Sequence, residues 1–461
     1  MTPPADDPPE KRRWFVDAAK LTPVRFVSLG FAVAIAVGTG LLSIPWASQP
    51  GSGASPLQAL FTATSAMCLT GLVVVDTPTQ WSGFGQGIIL ALIQLGGLGI
   101  MTMASLVGLI LADRIGLRSR LNTAVELRAT GLTDIRSVVT GVVRTSFVIE
   151  AVIAVCLGLR FWSGYDEPPL RAVWLGVFHS ISSFNNAGFV LFEGNIIGFA
   201  TDPWICIPLI VAVVLGGLGF PVLFEVIRQI RRRPSQLPRR WSLHSRLTLS
   251  VTGVLLIVGP ALVLVLEWSR TLAPFGVADK VLVGSFQGIM SRSAGLNSID
   301  WAEADQATLL VTDVLMFIGG GSGGTAGGIK VTTFAVLLFV IIAEIRGDRT
   351  VTAFDRQINT RVQRQALTVA LFGIALVVVP TVVLLAGTPF GLDALLFEVV
   401  SASATVGLST GITGQLPPWG QLILILLMYV GRIGSITLVS ALAARDRGRR
   451  YTLPEERPFI G

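Results

Sequence analysis

Apolar residues in this chain run in long blocks rather than alternating with polar ones. The blocks at 26–45, 85–111, 205–226, 247–266, 367–385 and 422–442 each come close to the ~20 residues that a helix needs to cross a bilayer. Between them stand stretches of apolar to weakly polar character only about a dozen residues long, too short to span. Irregular backbone at membrane depth survives where it is buried in protein or lines a wet path. The pattern therefore predicts an all-α polytopic membrane protein in which full spans alternate with re-entrant half-helices.

Charge placement sharpens this. Of 35 Lys and Arg, five fall in 1–25, six in 113–144, seven in 228–246, five in 344–364 and five in 441–461. Basic segments that recur between apolar blocks follow the positive-inside rule, so these loops and both termini are expected in the cytosol of a multi-pass plasma-membrane protein. The net charge of +7 is thereby accounted for without nucleic acid. Charged residues make up 14% of the chain and the mean hydropathy is +0.70, whereas soluble proteins carry about a quarter charged residues. Three scattered cysteines and two histidines suggest neither a disulfide framework nor a zinc or histidine centre. The first 13 residues read as a polar tail, and the first apolar block as a retained span.

If the basic segments share one side, each apolar block leaves and returns, and the outer connections share a pattern. They read FTATSAMCLTGLVVVD (61–76), FHSISSFNNAGFVLFE (178–193), SFQGIMSRSAGLNSID (285–300) and FEVVSASATVGLSTGI (397–412). Aligned on Gly71, Gly188, Gly295 and Gly407, they lie 117, 107 and 112 residues apart. Ser stands six before the glycine in three of them, with Ile289 in the third. An acidic residue stands five after it in three, Asp76, Glu193 and Asp300, with Ile412 in the fourth. Coincident columns at one period mark a repeat architecture. The expected division is a tail at 1–24, repeat one at 25–112, repeat two with its preceding loop at 113–230, repeat three at 231–345, repeat four at 346–443 and a tail at 444–461. Any one glycine suits a turn or a packing contact. Four in register suit half-helices around a constriction, where glycine lets backbone carbonyls face inward and replace an ion's hydration shell. The acidic column reads either as an outer ring that concentrates cations or as solvated loop charge.

The segments CLTGL, NNAGF, RSAGLN and TVGLSTG resemble the filter loops of the Trk/Ktr/HKT potassium transporter superfamily across about 25–445. The short N-terminal tail is more similar to the Ktr-type membrane subunit KtrB than to the longer TrkH. The resemblance implies four membrane–pore–membrane units, a homodimer, and a cytosolic ring of nucleotide-binding KtrA-like regulatory subunits. It implies K+ as the transported ion, held at the carbonyls of a selectivity filter, with Na+ as a possible coupling or activating ion. The filter positions it assigns are Leu69, Thr70, Gly71, Asn186, Ala187, Gly188, Ser293, Ala294, Gly295, Thr405, Val406 and Gly407.

A second glycine motif follows each filter glycine by 24 to 28 residues: GGLG at 96–99 and 216–219, GGGSGGTAGGIK at 319–330, and GRIG at 431–434. Gly319, Gly321 and Gly324 match the dinucleotide spacing G-x-G-x-x-G. The stretch lies inside an apolar block, no soluble strand precedes it, and Lys330 follows Ile329, so a phosphate loop is excluded by context. Glycine costs about 1 kcal/mol relative to Ala in a helix interior, so this span is expected to break. By resemblance the break, Gly319, Gly320, Gly321, Ser322, Gly323, Gly324, Thr325, Ala326, Gly327 and Gly328, is an intramembrane gating loop, and small-residue helix packing is the other reading. Arg432, deep in the last apolar block, is expected to face the bundle interior or a wet cavity and to join the gate. Arg292 is expected to brace a carboxylate such as Asp300 or loop carbonyls, and Lys330 either contacts the path or snorkels to the cytosol. No acid–base pair, nucleophile elbow or metal-ligand cluster suggests an enzyme. The alternative function is a secondary transporter of another small solute, bound at midplane by broken helices.

Overall fold

The computed structural model describes residues 23–113, 135–231 and 241–444. Much of the basic sequence expected in the cytosol, at 1–22, 114–134, 232–240 and 445–461, lies outside the described residues. The described chain is mostly helical. Four times it runs helix, short helix, helix: α1 (Pro23–Leu42), α2 (Pro56–Met67), α3 (Gly83–Asp113); then α4 (Ile135–Gly164), α5 (Pro169–Phe184), α6 (Pro203–Leu218) and α7 (Phe220–Arg231). The third set is α8 (Leu243–Glu267), α9 (Val277–Met290), α10 (Gln306–Phe317) and α11 (Val331–Arg346), and the fourth α12 (Thr360–Gly387), α13 (Leu392–Ser403) and α14 (Pro418–Ala444).

The short helices begin where local chemistry ends the incoming loop. In α2, Ser55 and Gln58 form a reciprocal capping box with Pro56 in the first turn, so free amide groups are satisfied at a position where proline costs no hydrogen bond. Each short helix packs on the first helix of its own unit, α1 on α2, α4 on α5, α8 on α9 and α12 on α13. From Phe61 to Met67, α2 is buried throughout. Its small residues permit that closeness, since between lipid-soaked helices packing rather than water exclusion drives association. By contrast only 17% of the apolar window of α12 is buried, against 56% for α3. The exposed face of α12, with Leu371, Ile374 and Val378, is suited to lipid, and α3 lies in the interior.

Two second helices are broken and two are not. The block 205–226, expected as one span, bends by 106° between α6 and α7. Gly219 makes the corner at φ +89, and a Cβ there would collide with the carbonyl of Ser322. The third unit breaks between α10 and α11. The glycine motifs at 96–99 and 431–434 stay helical within α3 and α14. In the basic segment 344–364, a two-stranded hairpin pairs Thr352–Ala353 with Arg356–Gln357. Its turn uses Phe354 and Asp355 at positive φ, a conformation that the sequence does not signal with glycine.

Candidate functional site

The four aligned glycines meet. A Cβ on Gly71 would stand 2.6 Å from the carbonyl oxygen of Ala187, one on Gly188 2.8 Å from that of Ala294, and one on Gly295 2.6 Å from that of Val406. A Cβ on Gly407 would collide with the carbonyl of Thr70, which closes the cycle. Each glycine thus abuts the carbonyl before the next glycine, and no larger residue fits. All four also take left-handed φ, from +61 to +95, a region that costs other residues about 1–2 kcal/mol. Two residues earlier, Leu69, Asn186 and Thr405 are left-handed too. Positive φ thus recurs at alternate residues along three of the four strands.

Serine holds three of these strands in shape. Thr70, Ala187 and Val406 donate their N–H back to the carbonyls of Ser65, Ser182 and Ser401, at 2.8, 2.8 and 2.9 Å. The Oγ of Ser65 and of Ser401 then accepts the N–H of Gly71 and Gly407, each at 3.0 Å. Ser182 Oγ instead donates to the Phe189 carbonyl at 2.7 Å. Two of the three serines in the column visible in the sequence therefore cap a ring-glycine N–H with their side chains. A second set was not visible as a column, because its residue types differ and Gln287 stands one residue nearer its ring glycine than His179 and Glu398 do. His179 Nε2 accepts the N–H of Leu191 at 3.2 Å, Gln287 Oε1 that of Ser298 at 2.7 Å, and Glu398 Oε1 that of Thr410 at 3.2 Å. In each case the N–H belongs to the third residue after the ring glycine. Glu398 also receives the hydroxyls of Ser409 and Thr413.

On one side of the ring lies the glycine run. Ile318 and Ile329 pair across its neck, with Gly319 N–H to Ile329 O and Ile329 N–H to Phe317 O, both 3.0 Å. The loop is bonded to the end of α6 through Gly321 N–H to Gly217 O at 2.8 Å and Thr325 N–H to Gly216 O at 3.1 Å. Cations grip its carbonyls. Arg432 Nη1 donates to Thr325 O at 2.6 Å, Arg292 Nη2 to Gly319 O at 2.9 Å, and Lys330 Nζ to Ala326 O at 2.7 Å. Arg292 thus braces a loop carbonyl, while Asp300 accepts from Ala302 N–H. Asn186, in the second ring strand, donates to Thr325 Oγ1 at 2.7 Å, and Thr325 Oγ1 donates to Phe184 O at 3.2 Å. Ring and loop are directly connected. The polarity of Asn186 and Thr325 was the available signal for this bond, but their separation in sequence concealed it. In the other units, glycines of the second motif serve close packing: Cβ atoms on Gly96, Gly216 and Gly431 would collide with the carbonyls of Met67, Phe184 and Ser403, at the ends of α2, α5 and α13.

On the other side of the ring, a cavity of about 490 Å³ is lined by Gly71, Gly188 and the segments that follow the ring glycines, including Asp76, Asn195, Asn297 and Asp300. Glu193 is exposed and is not among its lining residues. Among the described residues, no cluster of His, Cys, Asp and Glu is arranged to hold a metal.

The family model described as TrkH, cation transport protein, matches residues 23–447. The chain is 36% identical over 445 residues to the Ktr system potassium uptake protein B of Bacillus subtilis (strain 168), covering 96% of this chain and 97% of that one. It is 34% identical over 449 residues to the potassium/sodium uptake protein NtpJ of Enterococcus hirae, covering 96% of this chain and 98% of that one. The crystal structure of the potassium transporter TrkH from Vibrio parahaemolyticus superimposes with a TM-score of 0.70 at 20% identity, covering 92% of this chain and 87% of that one.

Proposed function

Because the chain belongs to the TrkH family of cation transport proteins, we propose that it takes up potassium across the cell membrane through the four-glycine ring. The observation that carries this reading is the closed cycle of glycine against carbonyl, Gly71 to Ala187, Gly188 to Ala294, Gly295 to Val406 and Gly407 to Thr70. Four inward carbonyls at one level replace the water around a dehydrated monovalent cation. The strand residues 69–71, 186–188, 293–295 and 405–407 form the filter, and the 490 Å³ cavity is its outer vestibule, where Asp76 and Asp300 concentrate cations.

In the same reading the loop 319–328 is the gate. It lies against the strand ends and is held there by Arg432. A guanidinium at the pathway, with no carboxylate within ion-pair distance among the described residues, repels a passing cation in surroundings where salt screens little. Opening requires the bonds of Thr325 to Arg432, Gly216 and Asn186 to break together. The chain acts as the membrane subunit of a Ktr-like system, as a homodimer, with the loop moved by a cytosolic nucleotide-binding ring; the names of its relatives as Ktr system proteins support its membership of a system. The name of the Enterococcus relative supports Na+ as a second ion.

Growth of a strain without its own potassium systems, at millimolar down to micromolar K+ with and without Na+, tests the function. Rescue at low K+ is expected, and failure despite normal membrane expression contradicts it. For orientation, a cysteine placed at 193 is expected to react from outside the cell and one at 348 to be spared; the reverse pattern contradicts the topology.

A further inference from the structure

Three of the ring strands have a serine six residues before the ring glycine, and the third does not. Where Ser65 and Ser401 offer their Oγ to the N–H of Gly71 and Gly407, the third strand has Ile289, whose side chain has no oxygen to accept a backbone N–H. Ser293 is not left-handed as Leu69, Asn186 and Thr405 are. Ser293 and Ala294 both turn their N–H groups to Met290 O, at 3.1 Å, so this strand leaves its helix by a different path. It still arrives at the ring with Gly295 in register.

A side chain from the second unit holds this strand in another way. Asn195 takes φ +64, which asparagine tolerates better than most residues. Its Oδ1 accepts the N–H of Asn297 at 3.0 Å and that of Ile196 at 2.9 Å. Its Nδ2 donates to the carbonyl of Gly295 at 3.3 Å. One amide therefore holds the third strand on both sides of Leu296, and one of its bonds falls on the carbonyl of a ring glycine.

We infer that Asn195 is a specificity-determining residue of the ion pathway, setting from the second unit the position and field strength of the third strand. The inference rests on the reading of the ring as a filter. An N–H donated to a carbonyl occupies one of its lone pairs, offsets part of its field with a positive end and restricts its movement, and the choice between K+ and the smaller Na+ depends on the size of the site and the field of its carbonyls. Without the Asn195 amide, no N–H offsets the field of the Gly295 carbonyl and it is freer to close on a small ion, so Na+ gains on K+.

The full chain in liposomes, with Na+ competing against K+ uptake, provides the test. Asn195→Gly keeps the left-handed backbone and removes both side-chain bonds to the third strand. Asn195→Asp keeps the volume and the acceptor for Asn297 but cannot donate to Gly295 in its ionised form. Loss of one hydrogen bond sets the expected scale, a fall of about fivefold in the K+-over-Na+ ratio for each variant. If both variants incorporate normally and keep the original ratio while Gly407→Ser loses it, the inference is overturned and the filter reading stands. If Gly407→Ser also leaves the ratio unchanged, the filter reading falls and the inference with it. A lower yield of folded protein at unchanged ratio marks Asn195 as merely structural, which also overturns it.

Discussion

Two glycine layers lie one below the other in this protein, and the chain treats them oppositely. In the ring, four glycines from four units take left-handed φ and abut the next unit's carbonyl in the same way. In the layer below, the second glycine motif gives an unbroken helix in α3 and α14, a 106° corner at Gly219 and a loop at 318–330. The ring is equivalent because every strand must present the same group to one axis. The lower layer needs no such equivalence. There Gly96, Gly216 and Gly431 let a helix approach the end of its own short helix, and only the third unit has enough consecutive glycine to leave the helix altogether. Sequence repetition thus produces symmetry where geometry demands it and diversity where it does not.

The largest effects are expected where the comparison is sharpest. Gly71→Ser, Gly188→Ser and Gly407→Ser each put a Cβ against a carbonyl at left-handed φ, and the strain corresponds to roughly a tenfold loss of K+ affinity or of K+-over-Na+ selectivity. Uptake kinetics across K+ concentrations, with and without Na+, measure this; unchanged kinetics in all three would dissolve the distinction between the layers. Next comes the clamp on the loop. A hydrogen bond from a charged donor contributes about 1.5–3 kcal/mol, so Arg432→Ala is expected to raise maximal uptake velocity roughly fivefold or more without the cytosolic partner, with apparent K+ affinity nearly unchanged. Deletion of 321–324 acts in the same direction. Normal expression of both variants with no rise in velocity removes the gate and leaves packing as the role of these glycines.

Ser65→Ala and Ser401→Ala sharpen the comparison within the ring. Each loses the acceptor of a ring glycine N–H, worth about two- to fivefold in selectivity at the usual net value of a hydrogen bond. A selectivity unchanged in both contradicts the capping role. The smallest effect on ion selection is expected from Gly96→Ala. Its methyl meets the Met67 carbonyl, and such overpacking costs typically about 1–3 kcal/mol. A lower thermal midpoint at an unchanged K+-over-Na+ ratio is the expected result. A changed ratio with an unchanged midpoint would place Gly96 in the pathway instead.

The sequence made legible whatever depends on residue type at a fixed period. Apolar runs and basic segments indicated alternating spans, and four glycines in register indicated one ring. The depth of Arg432 in an apolar block indicated an interior position, where its bond to Thr325 O joins it to the glycine loop. Contacts between distant parts of the chain were not legible. Nothing near Asn186 signals Thr325, 139 residues away, and His179, Gln287 and Glu398 share a role without sharing an identity. The bend at Gly219 was hidden for another reason: GGLG at 96–99 stays helical with the same four letters, and the deciding contact is the Ser322 carbonyl from the third unit.

In the proposed function the four-glycine ring selects the ion. That selection is tested most directly by entry rates of K+ and of Na+ into liposomes holding the purified chain, each under its own gradient, for the native protein and the four glycine-to-serine variants. Faster K+ entry through the native chain and a reduced difference in every variant are expected. Equal rates for the two ions in the native protein, or a difference that survives all four substitutions, would contradict selection by the ring.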